Sequence, residues 1–257
     1  MNILNRLFKS RGKEYPQVVK IHDLPNIPTI QFKVYNQIEV QRTRNFGGER
    51  PALEYFLSIL HQQDIVYDVG ASVGLFSITA SQRVSNGKIF AFEPDFDTFA
   101  RLNENILFNG INNIQTIQLA LTDREGTLDL YTDGTEGFAP TLAFQKDRIG
   151  APKNKISIKG TTIDNLIQSG EVMVPDVIKI DIEGAESLCL SGAKGLLRGD
   201  FEKKTRDLFI EFHPDFLPDF GSSVEKLHDL ISSFEYEVIW SEGRDKQEHF
   251  HYRLMHL

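Results

Sequence analysis

Val66-Tyr67-Asp68-Val69-Gly70-Ala71-Ser72-Val73-Gly74-Leu75-Phe76-Ser77 decides how the rest of the chain is read. An apolar strand enters a turn carrying two glycines, and a helix leaves it. Glycine at 70 and 74 lets a second backbone or a ligand come close, and the first helical turn presents N–H groups that have no intrahelical partner. The turn lacks the full G-x-G-x-x-G pattern, which argues against a pyrophosphate ligand. Asp68 instead offers a carboxylate to a cationic amino group. The plainer alternative is a turn that only packs strand against helix.

Outward from this turn, short apolar runs alternate with amphipathic helical stretches, which implies βαβ units and a mainly parallel sheet. Strands are expected at 64–69, 88–93, 114–119, 176–182 and 206–212, with extra extended pieces at 127–131 and 156–161. A helix at 222–234 and two closing strands, 236–241 and 249–255, complete the chain, with a turn at Glu242-Gly243-Arg244-Asp245. Upstream, residues 10–30 read as a polar, proline-bearing linker. Alternation in Ile30–Tyr35 and Ile38–Val40 suggests a hairpin turning at Asn36-Gln37, and 51–62 reads as a helix opened by Pro51.

The second strand ends in Phe90-Ala91-Phe92-Glu93-Pro94, one βαβ unit after the glycine turn. An acid there can accept from both hydroxyls of a ribose; a helix-capping acid is the alternative. Two later strand ends carry Asp181 with Glu183 and Glu211 with His213. Residues two apart on a strand share a face, so these four are candidates for a cluster that takes a proton from a hydroxyl. Gly184 already turning the chain, Glu183 capping a helix and His213 bonding a loop form the competing account.

The net charge of −8 disfavours a nucleic-acid backbone as partner. A single cysteine, Cys189, excludes an intramolecular disulfide and fits a cytoplasmic, reducing setting; in its apolar run it reads as a buried thiol. No signal peptide or membrane span is expected, although Ile3, Leu4, Leu7 and Phe8 share a helical face that offers residues 1–9 a peripheral membrane contact. His249, His251 and His256 do not share one alternating face, so no histidine metal site is expected. Lys203-Lys204 with Arg206 reads as a solvated turn.

In order, these segments resemble the FkbM family of methyltransferases dependent on S-adenosylmethionine (SAM). The resemblance rests on Asp68-Val69-Gly70-Ala71-Ser72-Val73-Gly74, Ala91-Phe92-Glu93-Pro94, Leu102-Asn103-Glu104-Asn105 with Asn109-Gly110, Ala120-Leu121-Thr122-Asp123, and Ile178-Lys179-Ile180-Asp181-Ile182-Glu183-Gly184-Ala185-Glu186. It implies a class I methyltransferase fold, Rossmann-like α/β, with a mainly parallel seven-stranded sheet, a terminal antiparallel hairpin and an N-terminal extension (1–62) before the catalytic domain (63–257).

By position, Asp68, Gly70, Ala71 and Gly74 would line the methionine side of SAM, with Ser72 where the family often has asparagine. Glu93-Pro94 would meet the ribose, and Ala120 would border the adenine. The loop Gly134–Leu142 would cover the substrate. The implied reaction is O-methylation of a small-molecule hydroxyl, on a sugar, glycan or natural product, with Asp181 as first candidate for the base, His213 second, and Glu183 and Glu211 orienting the acceptor. A divalent cation held by these four is an additional, less favoured expectation. Two other functions are compatible with parts of the sequence: a nicotinamide-dependent oxidoreductase, and a SAM- or sugar-binding module without catalysis.

Overall fold

A computed structural model describes residues 14–135, 140–144, 152–244 and 246–255. The amphipathic start at 1–9, residues 136–139 of the covering loop, Asp245 and His256 lie outside the described residues. Among the described residues β1 (Gln17–Ile21), β2 (Ile30–Val34), α1 (Gln37–Arg44) and α2 (Arg50–Ile59) come first. The sheet begins with β3 (Ile65–Val69), α3 (Leu75–Ser81), β4 (Lys88–Phe92), α4 (Phe96–Phe108) and β5 (Ile114–Ile117). A side sheet is made by β6 (Ala120–Leu121), β7 (Gly126–Thr132) and β8 (Asn154–Thr161), followed by α5 (Ile163–Gln168). The order continues with β9 (Val177–Ile180), α6 (Glu186–Ser191), α7 (Lys194–Arg198), β10 (Asp207–Phe212), α8 (Val224–Ser232), β11 (Tyr236–Arg244) and β12 (Gln247–Leu254).

Seven strands form the main sheet in the order β11-β12-β10-β9-β3-β4-β5. Pairing from β10 through β5 is parallel, and β12 runs antiparallel to both its neighbours. The first five strands of this sheet in sequence keep the Rossmann order, and the closing hairpin places the last strand inside the last but one. This is the class I methyltransferase arrangement that the resemblance implies. Alternate residues of each strand face opposite sides. Val66, Ile89, Ala91, Val177 and Phe209 join one core with α2, α3, α4 and the N-terminal strands. Tyr67, Val69, Phe90, Phe92, Ile178, Ile180, Leu208 and Ile210 join a second with α5 to α8. Both faces are covered, which explains why the central strands are continuous apolar runs.

The N-terminal expectation needs correction. The 10–30 segment is not all linker, because β1 pairs antiparallel with β2, and residues 38–40 are helical. The overlooked signal is Asn36-x-x-Glu39. The Asn36 side chain accepts from the Glu39 N–H at 2.8 Å, and Glu39 Oε2 accepts from the Tyr35 N–H at 2.6 Å, a reciprocal cap that starts α1 where a hairpin turn was expected. Asn36→Ala is therefore expected to lower stability by about 1 kcal/mol, read from the chemical denaturation midpoint.

Two asparagines of the α4 motif tie this segment to the body. Asn105 Oδ1 accepts from the Lys33 N–H at 2.9 Å, and Asn109 accepts from and donates to the backbone of Gln31. Asn105 also donates to the Val73 carbonyl, so one side chain links β2 to the glycine turn. On the other flank, a one-residue bulge between Val238 and Trp240 re-aims β11. Trp240 then stacks on Tyr55 of α2, with ring centroids 4.1 Å apart, while Val238 and Ile239 stay exposed. The expectation for Arg206 also fails: its guanidinium is mostly buried and holds Asp64 and Asp207. Cys189 is a fully buried thiol, as expected.

Candidate active site

The carboxyl ends of β3, β4, β9 and β10 open into one cavity. Gly70, Ala71 and Ser72 form its wall at the turn, Glu93 and Pro94 stand at the end of β4, and Ala120 lies between Leu119 and Leu121. Asp181, Glu183 and Glu211 line the same cavity from β9, the turn after it, and β10. Nine of the twelve residues expected at the site thus meet in one place.

Asp68, Gly74 and His213 stand behind this wall. Asp68 is 1% exposed; its Oδ2 accepts from the Ser77 hydroxyl at 2.6 Å and its Oδ1 lies 3.1 Å from Lys179 Nζ. Its carboxylate is held by protein groups rather than offered to a ligand. Gly74 has φ +98°, and a Cβ there would meet Leu102 at 2.8 Å, so this glycine serves the contact between α3 and α4. Gly70 is required for a different approach. Its φ is +80°, and a Cβ would come 2.0 Å from the Asp181 carbonyl oxygen.

The turn also builds the surroundings of Glu93. The N–H groups of Gly70 and Ala71 both donate to the Phe92 carbonyl, which sets Ser72 so that its N–H donates to Glu93 Oε2 at 3.0 Å. The Asp95 N–H donates to Oε1 at 3.0 Å. Burial raises the Glu93 carboxyl to about 7, against these hydrogen bonds and the nearby Arg42 charge. Each oxygen keeps acceptor capacity for a ligand hydroxyl.

At the other end, Lys179 links the halves of the site. Although only 3% exposed, its ammonium donates to the Gly70 carbonyl at 3.2 Å and lies 3.5 Å from Asp181 Oδ2. Burial works to neutralise it, and the charges of Asp68 and Asp181 overcome that and hold it above its ordinary value. For Asp181, burial is outweighed by Lys179, His213 and His249, which keep the carboxyl below its usual range. Glu211 behaves oppositely: burial, then the Asp181 charge, lifts it to about 8.

His213 is placed by Glu186, a residue the sequence analysis left out of the site. Its Nδ1 lies 2.7 Å from Glu186 Oε1, and Nε2 lies 3.8 Å from both Asp181 Oδ1 and Glu183 Oε2. Burial disfavours its charge, but the hydrogen bond to Glu186 and the charges of Glu183, Glu186 and Asp181 raise it to about 10. At neutral pH it is an imidazolium and cannot accept a proton, which removes its expected role as second base in this state. Arg42, Phe46 and Glu49 also line the cavity, brought there by the segment before β3. Nothing local in the sequence marks them, because their approach depends on packing of the N-terminal strands against α4. Of the covering loop, Pro140 and Leu142 line the cavity.

The chain matches the model of the Methyltransferase FkbM domain over residues 68–238, well over half its length. It is 30% identical over 176 residues to the hexuronic acid methyltransferase AglP of Haloferax volcanii, covering 65% of this chain and 66% of that one, just under two thirds. It is 25% identical to the 2-O-methyltransferase NoeI of Sinorhizobium fredii, covering 81% and 80%. It is 26% identical to the 31-O-demethyl-FK506 methyltransferase FkbM of Streptomyces tacrolimicus, covering 66% and 68%. With a class I sheet, a cavity at its strand carboxyl ends and a family match spanning both, the chain belongs to the FkbM family of SAM-dependent methyltransferases.

Proposed function

We infer that the protein transfers the methyl group of SAM to a hydroxyl of a sugar or glycan. The observation that carries this reading is the division of one cavity into a buried ribose-type carboxylate, Glu93, at one end and a cluster of acids, Asp181, Glu183 and Glu211, at the other. Two relatives support the acceptor class, one a hexuronic acid methyltransferase and the other a 2-O-methyltransferase. In this reading Glu93 and Pro94 meet the ribose, the Gly70-Ala71-Ser72 backbone meets the methionine portion, and Ala120 borders the adenine. Asp68 and Gly74 shape the turn from behind.

The acceptor oxygen attacks the methyl carbon, the carbon–sulfur bond breaks with its electron pair staying on sulfur, and S-adenosylhomocysteine leaves. The hydroxyl proton passes to a carboxylate, for which Asp181 is the candidate. Most of the protein's contribution is alignment of an already activated donor. Glu183 and Glu211 orient the acceptor, and His213 fixes the acids by its charge. Residues 1–62, taken as an extension to the domain 63–257, supply Arg42 and Glu49 to the cavity wall. The single buried cysteine fits a cytoplasmic setting, and the charge of −8 fits an acceptor other than nucleic acid. Among the described residues no helix is long and apolar enough to cross a membrane.

Calorimetry is expected to give binding of SAM and no binding of NAD, followed by methyl transfer from labelled SAM to a member of a sugar and glycan panel. Tight NAD binding without SAM binding overturns the reading, and SAM binding without any transfer favours a non-catalytic module. The pH dependence has a fixed sign. Glu93 ionises at about 7, and ribose hydroxyls bind the ionised form, so affinity falls as pH drops through that value. SAM binding is expected to weaken about tenfold from pH 8 to pH 6, with protons released on binding. A flat profile removes Glu93 from the ribose.

A further inference from the structure

We propose that Asp181, Glu211 and His213 form a binding site for one divalent cation of the Mg²⁺ or Mn²⁺ class on the acceptor side of the cavity. One oxygen from each carboxylate and one imidazole nitrogen lie within 4.8 Å of one another. An octahedral ion about 2.1 Å from each ligand holds adjacent ligands roughly 3 Å apart. Side-chain adjustments of roughly an ångström or two bring the three atoms to that spacing.

Two buried atoms point to a missing partner there. Glu211 is 3% exposed and lines the cavity, yet its Oε1 receives no hydrogen bond. Without a metal this carboxyl, raised to about 8, carries a proton at neutral pH, and a cation binds its ionised form in place of that proton, completing the unbonded oxygen. His213 is 2% exposed, and its Nε2 likewise has no hydrogen-bond partner. Its Nδ1 is held by Glu186, which is fully buried and itself accepts from the Gly184 N–H at 3.0 Å. A carboxylate behind a histidine fixes the ring and aims the opposite nitrogen at a metal, which binds by displacing the Nε2 proton that the metal-free imidazolium carries. Glu183 Oε2, 3.8 Å from Nε2, stands near enough to share the ion.

The donor set of two carboxylates and one imidazole suits Mg²⁺ and Mn²⁺, and the nitrogen favours Mn²⁺ of the two. Lys179 and His213 as an imidazolium offset part of the acidic charge without a metal, but neither gives Glu211 Oε1 a bond. A neighbouring group, Glu49 with Glu211 and His249, is equally compact and shares Glu211. The assignment to Asp181 and His213 follows from Glu186 standing behind His213. If the methyl-transfer reading holds, the ion would take the acceptor hydroxyl as a further ligand and lower its pKa, a consequence that rests on that reading. The site itself does not.

The test is titration of EDTA-stripped full-length protein with MnCl₂, followed by the loss of the free Mn²⁺ paramagnetic resonance signal, with SAM binding measured separately by calorimetry. One Mn²⁺ per chain is expected. Glu211→Gln and Asp181→Asn are each expected to weaken it by about tenfold or more, and the positioning change Glu186→Gln by about tenfold, with circular dichroism confirming the fold. Glu49→Gln is expected to leave Mn²⁺ affinity within about twofold. Loss of Mn²⁺ in Glu49→Gln with retention in Asp181→Asn overturns the assignment. No Mn²⁺ uptake at millimolar concentration by protein that binds SAM overturns the proposal and leaves the methyl-transfer reading standing. Mn²⁺ uptake without SAM binding does the reverse.

Discussion

Asp181→Asn is expected to leave a folded protein that still binds SAM and turns over about 10²–10⁴-fold more slowly. The substitution keeps the volume and one acceptor oxygen and removes the charge. That charge is held in place by Lys179 at 3.5 Å, and against the cost of burial Lys179, His213 and His249 keep the carboxyl below its usual range, so Asp181 stands ionised and able to accept a proton at neutral pH. Its side chain is also the most open of the three, 27% exposed beside 12% for Glu183 and 3% for Glu211, and so the best placed to reach an acceptor. The measurement is single-turnover methyl transfer on an identified acceptor, with SAM affinity as the control. Unchanged turnover in the folded variant removes Asp181 from proton transfer.

Gly70→Ala is expected to be the most damaging single-methyl change at the turn. The added Cβ would sit 2.0 Å from the Asp181 carbonyl, which is backbone and cannot swing away, and φ of +80° is strained for any side chain. A cost of about 3 kcal/mol or more follows, or a melting temperature lower by roughly 6–12 °C. Because the same turn sets the Ser72 N–H on Glu93, SAM binding should fall with it. Thermal unfolding with and without SAM checks both, and a midpoint within two degrees or so of wild type would contradict the close approach of the two strand ends.

The sheet was readable because its strands are short apolar runs separated by helices, and buried parallel strands can hardly look otherwise. The glycine turn, Glu93 and the acid cluster were readable because each sits at a strand end, and strand ends gather at one edge. Three things were hidden for physical reasons. Ile38 and Val40 alternate like a strand, but the cap at Asn36 and Glu39 decides the backbone before side-chain period does. Arg42 and Glu49 reach the cavity through packing of residues far apart in sequence. The protonation of His213 depends on Glu186, 27 residues away and itself buried, so the residue that looked like a base in sequence is a cation in the fold.

Trp240 is the only tryptophan in the chain, and it is stacked at 9° on Tyr55, a residue of the segment that precedes the sheet. Tryptophan emission from this protein, excited beyond the tyrosine band, therefore comes from a single place, the seam between α2 and the closing hairpin. Tyr55 also holds His251 Nδ1 through its hydroxyl at 2.9 Å, so the ring is fixed on both sides of that seam. The molecule carries its own optical gauge of how firmly its leading segment is seated, without a dye or an added label.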